Sequence, residues 1–124
     1  MKNISNPTAG QKKWRNLQWA RALKTSKKLR GSLHRSDYHC CLGVAECVAQ
    51  GLSGGEIETS NGGSSFPKDA VRAFFGWPEK NPLLKFRDSW THAASLNDFD
   101  HGKGYRKGLP HVEISEIVKE TFCK

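Results

Sequence analysis

Three cysteines crowd one short stretch, Cys40, Cys41 and Cys47, with His34 and His39 beside them and Cys123 near the end of the chain. Thiolates and imidazoles are zinc ligands and, when activated, nucleophiles. The spacing argues against both uses. A zinc site takes four ligands, usually as two close pairs, and here there is neither a Cys-x-x-Cys pair nor a second pair. Read as a strand, this stretch points Cys40 and Cys41 to opposite faces, away from a shared metal. A reactive thiol needs exposure and a lowered pKa. Cys41 and Cys47 instead lie in an apolar run, and no triad signature accompanies His39, His92 or His111. The expected arrangement is a core strand leading into a core helix, with all four cysteines as thiols, mostly buried. No catalytic residue, metal ligand or cofactor is assigned.

Two other groupings come to a similar end. Asn97, Asp98, Asp100 and His101, followed by Gly102, are faintly like a calcium loop. The further ligands and the terminal glutamate of such a loop are missing, and Asn and Asp form turns by bonding their own backbone. Gly54-Gly55 and Gly62-Gly63 could offer backbone amides to a phosphate. No Gly-Lys-Ser/Thr follows them and no strand–helix frame surrounds them. A flexible loop is expected over residues 51–65, with a lid over a ligand as the alternative.

The basic residues are a stronger signal. The chain of 124 residues carries a formal net charge of +8. Its first 36 residues hold ten Lys and Arg and no Asp or Glu, whereas the other 88 hold ten against twelve. Such asymmetry points to an acidic partner: nucleic acid, a nucleotide or an acidic protein surface. The candidate ligand-binding residues are Lys12, Lys13, Arg15, Arg21, Lys24, Lys27, Lys28 and Arg30. Trp14 and Trp19 interleave with them, and aromatics beside cations can stack on bases while the cations meet phosphates. The alternatives are a solvated face that only aids solubility and, for the tryptophans, burial as core anchors; buried tryptophans would still leave the cations.

The elements that position these residues are those of one small α+β domain. An apolar fraction of 36% supports one modest core. No apolar run approaches the roughly 18 residues of a membrane span, and Met1–Gly10 lacks the apolar core of a secretory signal; a cytoplasmic location is expected. Residues 1–10 read as a flexible arm and 11–124 as the domain. A basic helix is expected from Gln11 to about Thr25, with Trp14, Leu17, Trp19 and Leu23 at helical spacing and Arg15 and Lys24 on the other face. Gly31 to Leu42 reads as a β-hairpin leading into an apolar core helix, Gly43 to Gln50, ended by Gly51. Pro67 opens a third helix with Val71, Phe74 and Phe75 as its apolar stripe and Gly76 as its stop. Leu83–Phe86 and Trp90–Leu96 read as short strands, and 97–108 as a polar loop. Pro110 starts the last helix, with Val112, Ile114, Ile117, Val118 and Phe122 as core candidates.

The stretch from Trp14 to Leu52 includes Ala20-Arg21-Ala22-Leu23, Gly31-Ser32-Leu33 and Tyr38-His39-Cys40-Cys41-Leu42-Gly43-Val44, and Leu96-Asn97-Asp98 and Glu113-Ile114 to Val118 follow later. These blocks resemble a family of small tailed-bacteriophage and prophage proteins. Those have a Trp-containing helix, a short Gly-x-Leu-Arg strand, a Tyr-x-Cys-Cys-Leu-Gly-Val block, and a later Leu-Asn-Asp and Glu-Ile motif. The likeness spans most of the chain, and Cys-Cys-Leu-Gly-Val is its most specific part. The chain departs from the pattern at Ala45-Glu46-Cys47, in the longer segment after Asp98, and in the 51–66 loop. The resemblance implies a phage origin and the cytoplasm of an infected bacterium, and it implies no reaction.

The expected function is that of a non-enzymatic phage accessory protein that binds an acidic partner, countering or modulating the host without engaging a membrane. The alternatives are a small metal- or cysteine-dependent enzyme and a virion or assembly component.

Overall fold

The computed structural model describes residues 3–25, 41–58, 66–98 and 109–124. The first helix, α1 (Ala9–Thr25), begins two residues earlier than expected. The cause is a reciprocal cap. The Gln11 amide donates to Thr8 Oγ1 at 3.2 Å, and the Thr8 amide donates to Gln11 Oε1 at 2.9 Å. A Thr-x-x-Gln cap satisfies two of the amides that a helix start otherwise leaves open. The preceding residues, read from sequence as an arm, touch the body: Ile4 packs on the core, and Asn3 Nδ2 donates to Gln11 Oε1 at 3.3 Å.

Helix α2 (Cys41–Leu52) is the apolar core helix, with Cys41 to Glu46 and Ala49 buried. It starts two residues earlier than expected, so Cys41 and Leu42 are helical rather than part of a hairpin strand. The hairpin's other residues, 31–40, lie outside the described residues. Gly51 does not end the helix. The chain turns at Gly54 and Gly55, both at positive φ, where the Gly55 amide donates back to the Gln50 carbonyl at 2.9 Å. Beyond that turn Ile57 is buried.

Helix α3 (Asp69–Phe75) buries Val71, Phe74 and Phe75, the expected stripe, and stops at Gly76 in the left-handed conformation (φ 72°). The Trp77 amide reaches the Arg72 carbonyl and the Gly76 amide the Ala73 carbonyl, a two-bond C-cap that requires such a φ and so favours glycine. Trp77 then folds inward, stacked on Phe75 at 4.8 Å and 4.9 Å from Trp19.

Strands β1 (Leu83–Phe86) and β2 (Ser89–His92) pair antiparallel, Leu83 with His92 and Phe86 with Ser89. The first strand has the expected bounds. The second was expected to run to Leu96, but the chain turns helical at Ala93 to form α4 (Ala93–Asp98). Two alanines favour helix, and the Asn81 side chain accepts the Ala94 amide at 3.0 Å, supplying a first-turn partner. Helix α5 (His111–Phe122) follows Pro110. It buries His111, Ile114, Ser115 and Val118, spaced i, i+3, i+4, i+7. Of the expected core residues, Ile117 and Phe122 are only partly buried and Val112 is exposed, because it lies off that stripe.

The fold is a small single α+β domain, with five helices and one two-stranded sheet among the described residues. The basic helix α1, rather than α2, is the element on which α2, α3 and α5 all pack, most extensively α5. Ser115 Oγ donates to the Ala20 carbonyl at 2.5 Å, and Cys123 Sγ lies 3.8 Å from the Lys13 carbonyl, so α1 and α5 run antiparallel.

Candidate functional site

Helix α1 has two faces. The inner one consists of Arg15, Asn16, Trp19, Ala20 and Leu23. Trp19 donates its indole N–H to the Cys41 carbonyl at 2.9 Å, fixing α1 to the start of α2. Asn16 Nδ2 donates to the Phe75 carbonyl at 3.0 Å, and its Oδ1 accepts the Trp77 indole N–H at 2.9 Å. Arg15 NH1 donates to the carbonyls of Phe74 and Asn3, each at 3.0 Å, with the guanidinium 4.1 Å from the centre of the Phe74 ring. Asn16 and Arg15 thus supply donors to the last carbonyls of α3, which the helix itself cannot satisfy, and Arg15 brings its positive charge to the negative end of that helix.

This corrects one expectation directly. Arg15 was assigned to the exposed binding face, but it is only 1% exposed. Its aliphatic stem and planar head suit a position against an aromatic ring, and its partners are backbone oxygens that need donors. Burial lowers its pKa from the ordinary guanidinium value, and an arginine remains charged there.

The outer face holds the other candidates. Lys12, Lys13, Arg21 and Lys24 are exposed, and so is Trp14, at 46%. Trp14 and Arg21 are seven residues apart, which is nearly two full turns and puts them on one line. Gln18, half-buried, lies between them. Lys13 lies on the side of that line towards α5, where its charge acts on Cys123, and Lys24, about three turns on, shares that side of the helix. Lys12 leans the other way: its stem lies so close to Gly76 that a Cβ there would come within 2.6 Å of it. Among the described residues, no carboxylate forms an ion pair with any of these four cations; the described ion pairs join Glu58, Asp69, Glu79, Glu116 and Glu120 to partners elsewhere. Lys27, Lys28 and Arg30 lie outside the described residues.

Arg21 also stands on the rim of an open groove of about 410 Å³ between α1 and α2. Gln18, Arg21, Ala22 and Thr25 form one wall, and Cys47, Val48, Gly51 and Leu52 form the other. Its floor of Ala22, Val48 and Leu52 is apolar and partly buried. This groove is not visible in the sequence, since its walls come from segments separated by some twenty residues. A second, smaller hollow beside α5, of about 290 Å³, is lined by Lys85, Arg87, Ile117, Glu116 and Glu120. There carboxylates offset the cations. The hairpin also exposes Trp90, 61% accessible and opposite Lys85, but His92 on the same face is bonded to Glu79. Among the described residues, the α1 surface is the one that sets an exposed aromatic beside several exposed cations free of ion pairs to carboxylates.

No family model, curated protein or solved structure matches the chain.

The cysteines are distributed differently from expectation. Cys41 is buried, with its Sγ 3.5 Å from the Ala93 carbonyl. Cys47, expected in the core, is exposed on the groove wall, because an apolar helix still has an outer side. Cys123 is partly buried, and burial raises its pKa against the opposing pull of Lys13 and Lys119. Cys40 lies outside the described residues. Among the described residues, no three His, Cys, Asp or Glu side chains gather closely enough to hold a metal ion, and no helix is long and apolar enough to cross a membrane. Asn97 and Asp98 close α4, while Asp100, His101 and Gly62-Gly63 lie outside the described residues.

Proposed function

We propose that this chain is a non-enzymatic bacteriophage accessory protein that binds an acidic partner in the cytoplasm of the infected host, through the outer face of α1. One observation carries the proposal. Lys13, Arg21 and Lys24 are exposed, with no carboxylate partner among the described residues, on a helix whose opposite face is fixed by Arg15, Asn16 and Trp19. A fixed row of uncompensated cations attracts polyanions and gains from releasing their counterions. The resemblance of the Tyr38–Val44 block to phage and prophage proteins supports the setting in an infected cell.

Binding of the full chain to a polyanion over a range of salt concentrations tests this reading. The affinity is expected to fall linearly on a log–log plot, with a slope of about −0.7 to −0.9 per phosphate contacted. The triple reversal Lys13→Glu, Arg21→Glu, Lys24→Glu is expected to flatten that slope and weaken binding. Affinity indifferent to salt, or unchanged in the triple variant, rejects the proposal.

A further inference from the structure

We infer that the acidic partner is a single-stranded nucleic acid, with one base stacked on Trp14 and a neighbouring base seated in the α1–α2 groove. The inference rests on the acidic-partner reading and adds the class of ligand. Cations alone do not discriminate between polyanions. The discriminating feature is an indole 46% exposed beside them. Trp19 and Trp77 are buried in the same molecule, so the core holds tryptophans where it needs them, and Trp14 lies outside it.

An aromatic face between cations matches a ligand that repeats a planar ring and a phosphate at short, regular intervals. Single strands offer both, and stacking works with any base. A duplex offers its phosphates equally well, but its bases are held in the stack, which leaves the Trp14 ring without a partner. The geometry extends beyond one base. Along the helix, Ala22 lies about 12 Å from Trp14, at ~1.5 Å per residue. It forms part of the groove floor with Val48 and Leu52, and Arg21, about 10 Å along the helix from Trp14, stands at the rim beside it. A volume of about 410 Å³ admits a nucleobase. Arg21 is placed for the phosphate beside the base in the groove, and the Gln18 amide, midway along the helix between Trp14 and Ala22, for a base edge. Lys13 and Lys24 then meet phosphates at either end.

The test measures fluorescence anisotropy of a labelled oligothymidylate of about 16 nucleotides, at the upper end of single-strand site sizes, against a blunt duplex and against heparin, a polyanion without bases. The wild type is expected to prefer the single strand to the duplex. Trp14→Ala is expected to lower single-strand affinity roughly 5- to 150-fold, to leave heparin binding unchanged, and to fold normally by near-ultraviolet circular dichroism. Trp14→Phe is expected to restore most of the loss. Arg21→Glu with Lys24→Glu is expected to weaken binding to all three probes. The inference is overturned if the wild type does not bind the single strand at low salt, if the duplex binds as tightly, or if Trp14→Ala changes nothing. In any of those cases, heparin binding that is lost in the double reversal leaves the acidic-partner reading standing. Heparin binding that survives it removes both.

Discussion

Helix α1 carries two arginines and two tryptophans, one of each on either side, and the two sides put the same residue types to opposite uses. Inside, Trp19 packs against the stacked Phe75 and Trp77 and donates to the Cys41 carbonyl, while Arg15 supplies donors to the end of α3. Outside, Trp14 and Arg21 face solvent without a described partner of that kind. What separates the pairs is position on the helix rather than residue type. The difference teaches that a basic, aromatic-rich helix is not by itself a binding surface. Half of this one is a structural joint, and that joint is what holds the other half in a fixed row.

The largest effect is expected from breaking the inner side. Trp19→Ala removes a fully buried indole with two aromatic neighbours and a hydrogen bond, at a cost of about 3–5 kcal/mol. For a domain of this size that is a large fraction of total stability. Trp14→Ala is expected to change stability by no more than about 0.5 kcal/mol. Urea unfolding of the two variants makes the comparison directly. Equal losses would mean that Trp14 is a second anchor and that the contrast between the faces is false.

The arginines give a smaller and more specific contrast. Arg15→Met keeps much of the buried stem but leaves the Phe74 and Asn3 carbonyls short of a donor, which costs about 1–3 kcal/mol. Arg21→Met is expected to stay within about 0.5 kcal/mol, yet to be the variant that loses polyanion affinity. The two readouts should therefore cross: stability falls in one variant and binding in the other. A binding loss in Arg15→Met without a stability loss would return Arg15 to the binding face.

That crossing also marks what could be read from the sequence. Strand β1 was legible to the residue, as were the apolar stripe of α3 and its stop at Gly76, because each follows from a local rule. The hairpin was not, because its turn is Arg87-Asp88, with Arg87 at φ 57°, and a positive φ without Gly or Asn leaves no mark in the sequence. The start of α1 was encoded in Thr8 and Gln11, whose spacing is that of a reciprocal cap. The role of α1 as the packing centre was obscured because two of its five buried residues, Arg15 and Asn16, are polar, which blurs the apolar period. At the site, charge was legible and exposure was not. Of the five candidate cations among the described residues four are on the surface, and nothing in the composition singles out Arg15 as the one inside. Cys47 shows the same limit in reverse, an apolar-looking residue on an outer face.

The smallest expected effect tests the boundary between the two sides, where Lys13 meets the end of α5. Cys123 is partly buried, and this desolvation pushes its thiol above the ordinary value, while Lys13 and Lys119 draw it down. The sign follows from the larger cause. A thiol whose folded pKa is raised contributes stability that is whole below the unfolded pKa and is lost as pH climbs through the raised one. Alkylation, which needs the thiolate, should accordingly set in later for Cys123 in the folded chain than in the denatured one. Lys13→Gln removes one opposing charge, so the midpoint of the Cys123 alkylation profile, followed by peptide mapping across a pH series, should move further upward. A midpoint that stays put would mean that the Lys13 ammonium is too well solvated to be felt across the α1–α5 seam; a downward shift would contradict the downward pull assigned to Lys13. An upward shift would locate that charge at the seam itself, on the rim of the outer face and within electrostatic reach of the packed interior.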